Sequence, residues 1–266
     1  MTVRIPKPTA TTCASVAGVL VALIGLLVLV GWAVGSPALV QILPQFVPMR
    51  VNTALGLLVA GLGLIAAARE RRAHLAVAVA AVLAIALTTV VQYVVGFDYP
   101  WDGIAIAAAA PGPTATRMAA NTALCFLLTG IALAAYAWRG AEAWRATAVA
   151  IAGGLVLAAS FLAICGYVAA LPHLYGWGHY TRMALHTAIG LALIGGGLIA
   201  LAGVRGVERT SVRALRRRIL ALAVAGVTAA AMVGSTLGIL PLSAELQRAT
   251  RTRLAEHVAF KAHALA

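Results

Sequence analysis

The chain has 266 residues, of which 62% are hydrophobic and 10% charged, and its mean hydropathy is +0.98. That balance excludes a soluble globular domain and makes lipid its solvent. A formal net charge of +13 would suit a nucleic-acid binder, but the cations fall between apolar runs instead of forming a patch, and no nucleic-acid partner is expected.

Taken in chain order, residues 1–12 carry Arg4 and Lys7 and read as a short cytoplasmic segment. Apolar runs then follow at 13–34, 51–68, 75–96, 118–138, 146–168, 183–204 and 219–240, each near the roughly 20 residues that cross a hydrocarbon core as helix. Arg69, Arg71 and Arg72 separate the second and third runs, and Arg139 and Arg145 the fourth and fifth. Arg205, Arg209, Arg213, Arg216, Arg217 and Arg218 separate the sixth and seventh, whereas the alternate loops carry one arginine each: Arg50, Arg117 and Arg182. This asymmetry puts the N-terminus in the cytoplasm. The expected fold is all-α and transmembrane: hairpins over 13–68, 75–138 and 146–204, a basic cytoplasmic linker over 205–218, a seventh helix over 219–240, and the start of an extracytoplasmic helical segment over 241–266.

Cys13, Cys125 and Cys165 are too scattered for a disulfide framework or a zinc site. The first run resembles a signal peptide ending near Gly35, but the repeat described next includes it and argues for retention. The external loops at 97–102 and 173–180 are rich in Trp, Tyr and Phe, as interfacial anchors are, with Asp98, Asp102, His173 and His179 among them. After Pro241 the chain runs into a mixed-charge amphipathic stretch and stops at Ala266 with no helix terminator, which reads as the N-terminal part of a larger protein.

Three segments share one pattern: Met49 to Gly56 (MRVNTALG), Met118 to Cys125 (MAANTALC) and Met183 to Gly190 (MALHTAIG). The pattern is Met-x-x-Asn/His-Thr-Ala-Leu/Ile, and Gly61, Gly130 and Gly195 stand at the same distance beyond each Met. Trp32, Tyr93 and Tyr167 lie near the far end of the preceding helix in each unit. On a helix of about 100° per residue, the Met, the Asn or His three on, the Thr four on and the Gly or Cys seven on share one side. The Ala five on and the Gly twelve on share another, where small residues let membrane helices approach closely.

The first side admits two readings. Asn and Thr near a helix start cap free amides, and Met fills space. Alternatively, polar groups repeated inside a membrane mark a site. If the hairpins pack about a pseudo-threefold axis, Met49, Asn52, Thr53, Met118, Asn121, Thr122, Met183, His186 and Thr187 converge just below the outer surface. Such a pocket suits a soft metal held by Met49, Met118, Met183 and His186, or a small anion drawn by three helix N-termini and Arg50, Arg117 and Arg182.

The thrice-repeated motif resembles the multi-helix membrane sensor regions at the N-termini of bacterial histidine kinases and diguanylate cyclases, over residues 15–205. The stretch from Arg216 onward is similar to the connection that leads into an extracytoplasmic sensory domain. The resemblance implies the bacterial inner membrane, a signal-input role, downstream signalling domains in the same polypeptide and a homodimer. The organisation also resembles, distantly, the MHYT sensor domain, which implies copper as a cofactor; His179-Tyr180-Thr181 occurs only once here and follows Gly178 instead of Met. The alternative is a small transporter or channel, since repeats with polar residues near helix breaks also mark those. The chain has seven acidic residues, three of them (Glu70, Glu142 and Glu208) in basic loops, and no phosphate-binding loop, kinase or cyclase motif, so no enzyme active site is expected within it.

Overall fold

A computed structural model describes residues 7–96, 117–138, 143–176, 181–206 and the single position 226. All the regular secondary structure among the described residues is helical. Helix α1 spans Lys7–Ala33, a short α2 spans Pro37–Val40, α3 Val51–Ala68, α4 Arg72–Val95, α5 Ala120–Ala137, α6 Ala143–Val168 and α7 Leu185–Gly206, with a 3-10 turn at Pro172–Leu174 before α7. Six of these helices are long and apolar enough to cross a membrane. The predicted seventh span at 219–240, the basic linker at 205–218 beyond Gly206, the segment 241–266 and the aromatic loop at 97–102 lie outside the described residues. Gly226 is the exception, and it sits against the Leu155 side chain of α6.

The hairpins of the sequence are the packing units. Helix α3 packs along α1, α5 along α4, and α7 along α6. Each returning helix also contacts the next outgoing one, α3 on α4, α5 on α6 and α7 on α1, which closes a ring. Inside that ring α3, α5 and α7 touch one another pairwise. Just over half of each returning helix is buried (56%), against 39%, 28% and 50% of α1, α4 and α6. The three motif-bearing helices therefore form a central parallel triangle, and the outgoing helices turn residues such as Val16, Leu23, Leu27 and Val77 outward, where lipid supplies the apolar contact.

Glycine decides how closely each hairpin closes. A Cβ at Gly61 would meet the Gly18 carbonyl at 2.5 Å, and one at Gly195 would meet the Gly153 carbonyl at 2.7 Å. Backbone touches backbone at both crossings, as small residues permit in membranes. In the second hairpin a Cβ at the matching Gly130 would instead meet the Leu83 side chain, at 2.5 Å.

The axis of the triangle is filled in layers. Leu57, Phe126 and Leu191, each eight residues after its Met, are fully buried. Phe126 lies over Gly56 and Leu57 over Gly190, so α5 sets its large side chain over the small residue of α3, and α3 over that of α7. A turn or two further on the arrangement repeats, with Leu133 over Gly63 and Leu64 over Gly197. This is knob-and-hole packing with a heptad step, and it leaves an apolar plug along the axis.

Candidate functional site at the motif end of the axis

The three motifs open the central helices, and one device fixes all three. Trp32 Nε1 donates to the Met49 carbonyl at 2.9 Å, Tyr93 Oη to the Met118 carbonyl at 2.7 Å, and Tyr167 Oη to the Met183 carbonyl at 2.7 Å. Each donor stands near the end of the outgoing helix and each acceptor just before the returning helix, so the bond ties the two ends of the hairpin together across the turn. Helix starts leave amides unpaired, not these carbonyls; the clamp holds the chain direction at which the helix begins. The methionine side chains are 1%, 0% and 1% exposed and belong to the core.

The turns are pinned the same way in the two hairpins where they are described. Met49 N donates to the Val40 carbonyl and Met183 N to the Tyr175 carbonyl. Tyr175 in turn stacks on Tyr167 with ring centroids 4.1 Å apart, and Phe46 of the first turn meets the edge of the same Tyr167 ring, joining hairpins one and three.

The polar motif positions separate into two sets. The residue three beyond Met stands about 100° around the helix from the residue four beyond it, and only the latter looks down the axis. Asn52 Oδ1 accepts the Thr53 amide at 2.8 Å, and Asn121 Oδ1 accepts the Thr122 amide at 2.9 Å. Each asparagine thus satisfies one unpaired amide of its first turn. Asn121 Nδ2 also reaches the Tyr175 carbonyl of the next hairpin at 3.3 Å. At the third position His186 breaks the pattern: its Nδ1 and Nε2 are buried with no hydrogen-bond partner among the described residues. The Val40 backbone, the counterpart of Tyr175 in the next hairpin around the ring, approaches it without completing a bond.

The threonines form the other set. A small cavity at the motif end is lined by Pro48, Met49, Arg50, Thr53, Ala119, Thr122, Arg182, Met183, Ala184 and Thr187. Its free volume of about 10 Å³ is that of roughly one water molecule. All three threonines line it, and they are 4%, 1% and 1% exposed. The residues one beyond each Met, Arg50, Ala119 and Ala184, line it as well. Two alanines leave room there and the third copy fills it with a guanidinium. Arg50 Nε is buried without a partner among the described residues, and burial lowers the pKa of Arg50 from its usual value, although an arginine remains charged in proteins. Arg117, the second-repeat counterpart of Arg182, instead lies over the Tyr93 ring at 5.0 Å.

Of the residues expected to converge, Met49, Thr53, Thr122, Met183 and Thr187 do so, while Asn52, Met118, Asn121 and His186 are not among the walls of the cavity. The residue that sequence reading underrated is Arg50, visible beforehand as the one charged copy of a position that is Ala119 and Ala184 elsewhere. The copper donors do not fit: two thioethers share the cavity with two guanidiniums, which repel a cation, and Met118 and His186 stand outside it. Among the described residues there is also no group of three His, Cys, Asp or Glu placed to hold a metal.

No protein-family model matches the chain, and no curated protein or solved structure matches it.

Proposed function

We propose that the chain is an integral membrane signal-input module of a bacterial signalling protein of the histidine kinase or diguanylate cyclase type. The observation that carries this reading is the axis itself, which holds a small polar cavity at the motif end and fully buried Leu57, Phe126 and Leu191 beneath it. A cavity closed below by an apolar plug suits occupancy that is sensed, and it does not suit a path for solute, which is the point at which a channel or transporter reading is weaker. The positive-inside asymmetry turns the motif end to the outside of the inner membrane.

A change in the cavity has a route outward. The cavity walls Thr122 and Thr187 are next in sequence to Asn121 and His186, which face the turns of the neighbouring hairpins. An altered helix start therefore alters the contact between hairpins, and the three hairpins shift as a set. The reading requires an output domain in the same polypeptide and suits a homodimer. Its test is autophosphorylation or cyclic-dinucleotide synthesis by the parent protein in nanodiscs, wild type beside Thr122→Val and Phe126→Ala. Output that changes with the axial residues at unchanged protein level supports an input module; output indifferent to both variants, or a parent protein with no such activity, overturns it.

A further inference from the structure

We infer that the axial cavity binds a small monovalent anion of about halide size, held by the hydroxyls of Thr53, Thr122 and Thr187 and by the Arg50 guanidinium; the inference rests on the input-module reading and names the class of its ligand. Three observations lead to it. First, among the described residues no hydrogen bond is found for the hydroxyls of Thr53, Thr122 or Thr187, although all three residues are more than nine-tenths buried and line the cavity. Elsewhere in the same helices the usual solution is in place: Thr129 Oγ1 donates to the Cys125 carbonyl one turn back at 2.8 Å. The hydroxyls of the ring are left to donate to something in the cavity.

Second, the sign of the site is positive. Arg50 and Arg182 line the cavity, Arg50 Nε has no partner among the described residues, and no acidic residue stands in the first turn of α3, α5 or α7. Three helix N-termini, each equivalent to roughly half a positive charge, point to the same place. A hydroxyl ring alone would accept a cation or a water equally well; the guanidinium and the helix ends select an anion. Third, the space admits one sphere of about water size beside Arg50, which suits a halide and is too small for a carboxylate metabolite or a phosphate ester.

Arg50 is also what makes the site single and asymmetric. Ala119 and Ala184 occupy the equivalent positions, so one guanidinium enters from one repeat into space the other two leave open. Three arginines there would repel one another, and three alanines would leave a buried hydroxyl ring with weak charge.

The test uses the full chain in detergent or nanodiscs in gluconate buffer at constant ionic strength, titrated with chloride and followed by chloride NMR line broadening, with bromide as the displacing ion. A saturable, bromide-displaceable component is expected. Arg50→Ala, which copies the other two repeats, is expected to weaken it about tenfold or more, the loss of a charge-assisted hydrogen bond. Thr122→Val is expected to weaken it and Thr122→Ser to keep it, while Arg69→Gln in a basic loop leaves it unchanged. No saturable component in the wild type, or equal binding by Arg50→Ala, overturns the anion site and leaves the cavity to a water. Parent-protein output that responds to Thr122→Val but not to chloride removes the anion and keeps the input module. Chloride that binds through Arg50 without changing output keeps the site and removes the module.

Discussion

Replacing Gly61 with Ala should destabilise the first hairpin although alanine is the better helix former, and the amount follows from the crossing of α1 and α3. The new Cβ would stand 2.5 Å from the Gly18 carbonyl and 2.6 Å from the Ala22 amide, both backbone atoms, where ordinary contact begins at 3.4 Å. The deficit is 3.4 − 2.5 = 0.9 Å, and no side chain can rotate to absorb it. The helices must part by most of that distance along an interface that also holds the close pair Gly25 and Ala54. Overpacking of this kind costs about 1–3 kcal/mol, against a gain of about 1 kcal/mol from helix propensity. Gly196→Ala supplies the control, because a Cβ there meets nothing within 4 Å and collects the propensity gain alone. The two variants should therefore differ by about 1–3 kcal/mol in a reversible denaturation of the reconstituted chain, with Gly61→Ala the less stable. A difference below about 0.5 kcal/mol would refute the reasoning, since it would mean that the backbones are not in contact at Gly61.

Four further outcomes follow from the same geometry. His186→Asn should stabilise the fold by about 0.5–1.5 kcal/mol, because asparagine can take the Thr187 amide as Asn52 and Asn121 take theirs; a thermal midpoint at or below that of the wild type would contradict it. Tyr167→Phe removes the donor to the Met183 carbonyl and should cost about 0.5–1.5 kcal/mol, read by the same denaturation; a stability equal to the wild type would contradict the clamp. Phe126→Ala empties the fully buried layer over Gly56 and should cost about 3–5 kcal/mol, so unchanged stability would argue against the axial plug. With Cys13, Cys125 and Cys165 replaced by alanine, single cysteines at the exposed positions Ala38 and Arg71 should react with an impermeant maleimide from opposite faces, Ala38 from outside; the reverse order would invert the topology.

The sequence by itself determined the elements and their kinship. Lipid as solvent makes helix obligatory wherever the chain is apolar for about 20 residues, and the repeated Met-x-x-Asn/His-Thr-Ala announces three equivalent hairpins before any contact is known. The small-residue face was legible for the same reason: Gly61, Gly130 and Gly195 recur at one register, and a membrane helix has few other uses for such a stripe. Helical phase also grouped the motif into faces, but it could not place the axis within a face. About 100° of arc separates Asn52 from Thr53, and which of them points inward depends on where the neighbouring helices lie.

Only the tertiary structure decided that. The ring closure of α7 on α1 puts the threonines on the axis, turns Asn121 and His186 to the turns of the next hairpins, and leaves Met118 out of the walls of the cavity it was expected to line. It also separates the three arginines that the external loops carry, one each: Arg50 and Arg182 line the cavity, whereas Arg117 lies over Tyr93. The clamps from Trp32, Tyr93 and Tyr167 show the same limit, since the aromatic residues recur in sequence but their acceptors are backbone carbonyls. A carbonyl carries no residue identity, so a pattern of side chains cannot reveal it; the contact exists only once the hairpin has closed.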